Sequence, residues 1–307
     1  MVYFTLTKQQ SSMKNNLNHK WVFFGTPELS VIILDELHAD GYVPSLIVTQ
    51  PDKPKGRGKV LTPPPVKAWA LAHSIPFVQP ARIDEDLLQT LRETASDCFV
   101  LAAYGKMLPQ ALIDIPPKGI VNVHPSLLPK LRGPSPIQSA ILTDEHPTGV
   151  SIMLIDAEMD HGPLIAQREV PTDEWPPYAP DLEQMLAHAG GTLLAEVFSP
   201  YLDGTITPQP QDHSTATFCK LIKKEDACIY VDEDPQATIR KIRGYAGWPI
   251  AYTYFERDGQ TLRVQILTAH SEGGKLVIDT VRPEGKNTMV YKDFLRSGAI
   301  PIRRPVD

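Results

Sequence analysis

A short apolar run, Trp21-Val22-Phe23-Phe24, ends at Gly25-Thr26-Pro27, and this pattern predicts a buried strand entering a turn. Leu29, Ile33 and Leu37 follow at helical spacing until Gly41 stops the helix. Ser45–Thr49 predicts a second strand. Val66–His73 and Asp84–Thr94 read as helices, with a short strand at Phe77-Val78 between them. Cys98–Ala103, Gly119–His124 and Gly149–Ile155 are further short strands. Strands alternating with helices predict an α/β, Rossmann-like domain, a mainly parallel sheet wrapped by helices. Ligands of such sheets sit beyond the carboxyl ends of the strands. The loops after Phe24, Ala103 and Val123 are therefore where chemistry is expected.

The pattern changes after Leu202. Thr207–Asp212 is polar and contains prolines, as a linker would. Beyond it, Ala251–Glu256, Thr261–Thr268, Lys275–Val281 and Thr288–Tyr291 are strand-like segments parted by Asp-Gly, Gly-Gly and Glu-Gly turns. That spacing predicts a small β-barrel of the oligonucleotide-binding (OB-like) type. The expected organisation is an N-terminal extension over 1–19, an α/β domain over 20–206, a linker over 207–214 and a barrel over 215–307.

Composition narrows this picture only a little. The 307 residues suffice for two domains, each able to bury a core. No apolar run is long enough to span a bilayer, so no membrane partner is expected. The N-terminus is polar, lacks the apolar core of a secretory signal, and offers Met13 as an alternative start. Cys98, Cys219 and Cys228 have no metal-ligand spacing, so no metal is expected, and they suit a reducing cytoplasm. The net charge of −6 is unevenly spread. Residues 215–307 carry +3, with 15 basic and 12 acidic residues, and the remainder carries −9.

The densest chemistry lies in Asn122-Val123-His124-Pro125-Ser126-Leu127-Leu128-Pro129, followed by Arg132-Gly133. Asn122 and His124 lie two apart at a strand end, so alternation sends both side chains to one side. An amide donor and an imidazole converging on one point make an oxyanion site for acyl transfer. Asp156 or Asp160, in the loop after the strand Gly149–Ile155, can add a carboxylate. Such a carboxylate is expected to raise the His124 pKa and favour its charged form.

Taken together, these residues and Met159-Asp160-His161-Gly162, Phe24-Gly25-Thr26-Pro27 and Ala103-Tyr104-Gly105-Lys106-Met107-Leu108-Pro109 resemble the folate-dependent formyltransferases. The stretch from Thr49 through Pro51-Asp52-Lys53-Pro54-Lys55-Gly56-Arg57-Gly58-Lys59 to Lys67 is similar to the basic loop of the methionyl-tRNA formyltransferases. The resemblance spans roughly residues 20–300. It implies that 10-formyltetrahydrofolate donates a formyl group to charged initiator tRNA, and that Asn122, His124 and Asp160 are catalytic. It further implies a folate wall at Ser126, Leu127, Leu128 and Pro129, built more from backbone than from side chains, and a loop Leu154–Met159 around the pterin. A monomer is expected.

Between Asp52 and Lys67 stand five basic residues, Lys53, Lys55, Arg57, Lys59 and Lys67, against one acid. Glycine and proline there predict an extended, mobile insertion able to meet acceptor-stem phosphates, with Arg57 the foremost contact. The same loop discriminates against a sugar-nucleotide N-formyltransferase, which shares the donor and the catalytic strand but has no use for it. A non-catalytic RNA-binding module would need clustered aromatics on the barrel, whereas Tyr252, Tyr254 and Phe255 are few and divided between faces. The chain departs from the family at Tyr230-Val231, where Asp-Trp is usual, at His161 and Pro163, and in a shortened final barrel.

Overall fold

The strand β1 (Trp21–Gly25) is buried along its whole length because both of its faces are covered. Trp21 and Phe23 enter one hydrophobic cluster, Val22 and Phe24 the other, as strand alternation requires. The computed structural model describes residues 19–56 and 58–303. Of the expected extension only His19 falls within them, and Met13 and Arg57 lie outside the described residues.

After β1 come α1 (Glu28–Ala39), β2 (Leu46–Val48), a hairpin of β3 (Lys53–Lys55) and β4 (Val60–Thr62), α2 (Pro65–Ala72) and β5 (Phe77–Val78). Then follow α3 (Glu85–Glu93), β6 (Cys98–Ala102), α4 (Gln110–Ile113), β7 (Ile120–His124), α5 (Pro136–Thr143), β8 (Gly149–Leu154), β9 (Leu164–Glu169) and α6 (Ala179–Leu202). The main sheet has the order β5-β2-β1-β6-β7-β8-β9. From β5 to β7 every pairing is parallel, and β8 and β9 each reverse direction against their neighbour. The sheet is therefore mainly parallel with an antiparallel margin.

Helix α6 packs on α1 and across the back of β7 and β8. Its close approach depends on Gly190, where a Cβ would come within 2.6 Å of Val123 Cγ1. Val123 sits between Asn122 and His124, so this contact sets the depth of the strand that presents them.

The chain continues through α7 (Pro235–Gly244), β10 (Tyr252–Arg257), β11 (Gln260–Glu272), β12 (Lys275–Pro283), β13 (Met289–Val290), α8 (Tyr291–Leu295) and β14 (Ile300–Ile302), whose five strands form a second sheet. Its order is β13-β12-β11-β10-β14 and all its pairings are antiparallel. Five antiparallel strands around a core that includes Phe255, Val264, Ile266 and Phe294 are compatible with an OB-like domain. Four strands fall where the turns predict them. β14 and both helices were not anticipated.

The junction is held by specific contacts. Residues 207–214 do not run free: Gln209 pairs with Leu164 in an antiparallel bridge, and Gln211 is buried. Further on, Arg132 and Phe218 form a parallel bridge. Helix α7 lies on α5, where a Cβ at Gly244 would touch Leu142. Gln209 and Gln211 of this polar linker are hydrogen-bonded to the first unit, which hydropathy alone does not register.

Candidate active site

The carboxyl ends of β1, β6 and β7 share one edge of the sheet, and short hydrogen bonds tie their loops together. Ser30 Oγ donates to the Ala102 carbonyl at 2.7 Å, and Thr26 Oγ1 donates to the Tyr104 carbonyl at 3.2 Å. Asn122 and His124 emerge at this edge, opposite Met153 and Ser151 of β8. Asn122 is 8% exposed, and its carboxamide has no hydrogen-bond partner among the described residues. A buried amide with unspent donors is ready for an incoming acceptor.

His124 is 4% exposed. Its Nε2 lies 3.1 Å from the Leu131 carbonyl. A carbonyl can only accept, so Nε2 carries the hydrogen and donates it, which leaves Nδ1 as the nitrogen that gains or loses a proton. Nδ1 faces Asp160 Oδ1 at 3.6 Å. The other oxygen, Asp160 Oδ2, accepts the Gly133 N–H at 2.7 Å and so fixes the carboxylate.

Of the two acids open from the sequence, Asp160 is the one that faces His124. Asp156 is committed elsewhere: its oxygens lie 2.7 Å from His161 Nδ1 and accept the Glu158 N–H at 3.0 Å. Asp160 pushes the His124 pKa upward as expected of a carboxylate, but the net shift is downward and does not favour the charged form. Burial lowers it below the ordinary 6.5; Asp160 and the Leu131 carbonyl push upward but do not offset that, and Arg132 adds to the depression. The balance of these influences favours the neutral imidazole.

The turn Ser126–Pro129 is spoken for from within. Ser151 Oγ donates to the Ser126 carbonyl at 2.6 Å and accepts the Leu128 N–H at 3.0 Å. Gln167 Nε2 donates to the Leu128 carbonyl at 2.7 Å, Lys130 N–H to the Leu127 carbonyl, and Thr217 N–H to the Pro129 carbonyl. Backbone groups expected to meet a ligand are thus engaged in holding the turn. Leu127 and Pro129, only half-buried, keep side-chain surface available, while Ser126 and Leu128 face inward.

Sequence reasoning gave Arg132 no role of its own and passed over Gln211 and His213. Arg132, 3% exposed, donates to Gln211 Oε1 at 2.6 Å and lies 2.8 Å from His213 Nδ1. His213 stacks on His161 with ring centres 4.0 Å apart. Arg132 stood within the motif and was legible as part of it. Gln211 and His213 stood in the polar stretch after Leu202 and carried no periodic signal.

The basic stretch forms a hairpin rather than a free extended loop, with Lys53 opposite Thr62 and Lys55 opposite Val60. Lys53, Lys55 and Lys59 are exposed. Lys67 differs: it belongs to α2 and is held by both oxygens of Asp52 at 2.9 and 2.8 Å. Asp52 also accepts from Gln79, and these bonds hold its carboxyl below the usual range. At the hairpin root, Gln50 takes a hydrogen bond from Lys53 at 2.6 Å and gives one to the Tyr104 carbonyl at 2.8 Å. The hairpin is thereby fastened to the loop that follows β6. Among the described residues, no group of three or more His, Cys, Asp or Glu could hold a metal ion, and no helix is long and apolar enough to cross a membrane.

A family model described as formyl transferase matches residues 19–198. A methionyl-tRNA formyltransferase from Chloroflexus aggregans is 47% identical over 246 residues, spanning 79% of this chain and 78% of the relative. Another, from Bacillus licheniformis, is 38% identical over 303 residues, spanning 91% and 95%. Among solved structures, the N-formyltransferase of Helicobacter canadensis, in complex with folinic acid and dTDP-3-aminofucose, superposes with a TM-score of 0.62. Its identity is 16%, over 83% of this chain and 89% of that one, so the likeness is one of fold. With near-half identity to one relative and almost complete coverage by another, the chain belongs to the methionyl-tRNA formyltransferase family.

Proposed function

We propose that the chain moves the formyl group of 10-formyltetrahydrofolate onto the amino group of methionyl-tRNA, and that Asn122, His124 and Asp160 carry the step. The observation behind the site assignment is a buried imidazole facing a fixed carboxylate, two residues from an amide with unspent donors. The amine nitrogen attacks the formyl carbon, a C–N bond forms, and the carbonyl electrons move to oxygen. Asn122 donates an N–H to that oxygen. His124 Nδ1 takes the proton that the amine loses, and Asp160 then balances the imidazolium, whose charge further stabilises the oxyanion. Collapse restores the carbonyl and breaks the bond to folate N10, which receives the proton.

The donor lies against Leu127 and Pro129 of the Ser126–Pro129 turn and the loop Leu154–Met159, with the hairpin beside it for the acceptor. Lys53, Lys55 and Lys59, exposed on that hairpin, meet acceptor-stem phosphates together with Arg57. Lys67, neutralised by Asp52, holds the hairpin's base instead of reaching for phosphate. The second sheet supplies a further tRNA surface. The chain works as a monomer in the cytoplasm, the initiator tRNA being its partner.

Donor labelled in the formyl carbon, mixed with charged initiator tRNA and separately with an amino-sugar nucleotide, tests the reading. Label is expected on methionyl-tRNA alone. Label on the sugar nucleotide alone would make this a sugar N-formyltransferase, and loss of label to water would make it a hydrolase.

A further inference from the structure

Gln211 stands outside the span 19–198 matched as formyl transferase, yet its carboxamide is spent wholly on the catalytic loops. It is 5% exposed. Nε2 donates to the carbonyl of Asp160 at 2.9 Å and to that of Gly162 at 2.8 Å. Oε1 accepts from Arg132 Nη2 at 2.6 Å and from Nε at 3.2 Å. One side chain thus joins the Asp160–Gly162 turn to the buried guanidinium of the Arg132–Gly133 turn.

That junction matters because of what each turn holds. Asp160 has φ +50°, in the left-handed region that a residue with a side chain keeps only when its neighbours hold it there. Two residues on, a Cβ at Gly162 would collide with the Leu154 carbonyl, so the turn has no slack on that side. On the other side, the Gly133 N–H fixes Asp160 Oδ2 and leaves Oδ1 facing His124. The backbone of Asp160 is held by Gln211, and its carboxylate by the residue that follows Arg132.

We infer that Gln211 is a positioning residue for formyl transfer, which ties the Asp160–Gly162 turn to Arg132 and so fixes the carboxylate that faces His124. The inference rests on the site reading given above. It makes the segment after α6 a working part of the catalytic centre. A satisfied buried glutamine with a merely structural role would cost stability when removed, but would not act through Asp160.

The test is steady-state kinetics of Gln211→Ala and Gln211→Glu, alone and combined with Asp160→Asn, with His124→Ala in parallel. Gln211→Ala is expected to lower kcat about 10- to 100-fold, as for a misplaced catalytic group, while both KM values stay within about threefold. Combined with Asp160→Asn, it should add less than about threefold, because the two act on one carboxylate. Gln211→Glu keeps an acceptor for Arg132 but sets carboxylate oxygen against two carbonyls, so it should be as impaired as alanine. Should Gln211→Ala not fold, Gln211→Glu and the equally long Gln211→Met decide by the same criteria. Wild-type kcat in a folded variant, an effect confined to KM, or a loss that multiplies in full with that of Asp160→Asn would each overturn the inference. An active His124→Ala would instead overturn the site reading, so the two failures are distinguishable.

Discussion

At His124 burial and charge pull in opposite directions, and burial prevails. A neutral imidazole whose Nε2–H is given to Leu131 can accept a proton only at Nδ1, the atom that faces Asp160. In the proposed mechanism Asp160 assists protonation of Nδ1 during the reaction. Histidine-selective NMR titration is expected to show His124 titrating below 6.5, and lower again in Asp160→Asn, since the raising influence is lost. A His124 pKa above 6.5, or one unmoved by Asp160→Asn, would contradict this balance. The pairing of Asn122 with His124 was legible because a strand's period of two is local. The choice of Asp160 over Asp156 was not, since it depends on where Gly133 and His161 lie in space.

Strand β7 owes its position to its neighbours on both sides and to α6 behind it. Gly190 allows that approach, and Gly190→Val would drive a branched side chain into Val123. Overpacking of this kind costs about 1–3 kcal/mol, and the shift should fall on the two residues that flank Val123. Activity is expected to drop further than the melting temperature suggests; unchanged kcat in the variant would show that α6 does not set the strand. Helix α6 itself had not been anticipated, because its buried residues run round most of its surface and blur the helical period. The charge of the basic stretch was plain from composition, but its hairpin form was not. Its strands carry exposed Val60 and Leu61 without the alternation that marks a half-buried strand. Alanine at Lys53 and Lys55 together should raise KM for methionyl-tRNA and leave that for the folate donor unchanged. Each lost phosphate contact should flatten the log–log salt dependence by about 0.9. An unchanged salt slope would show that these lysines meet no phosphate.

Across the whole molecule, charge and connectivity point the same way. The part that holds the site carries −9 and the C-terminal part +3, so tRNA must be drawn by local positive features more than by the total. The parallel sheet and the second, antiparallel one were legible in the run of strands and turns. The docking of the C-terminal part on the first was not, because it joins residues far apart in sequence: Gln209 with Leu164, Gln211 with Arg132, and Leu142 against Gly244, Tyr245 and Tyr252. No periodicity announces such contacts. They bring polar residues from beyond residue 206 to the edge where Asn122 and His124 emerge.

The most direct measurement is the single-turnover rate of formyl transfer to methionyl-tRNA, with donor and enzyme saturating. It compares the wild-type chain with Asn122→Ala, His124→Ala and Asp160→Asn. Each substitution should slow the chemical step by about 10²-fold or more, the loss typical of an oxyanion or proton-transfer group, with donor and tRNA affinities little changed. A rate within about threefold of wild type for any of the three, in a variant that still binds both substrates, would remove that residue from the reaction.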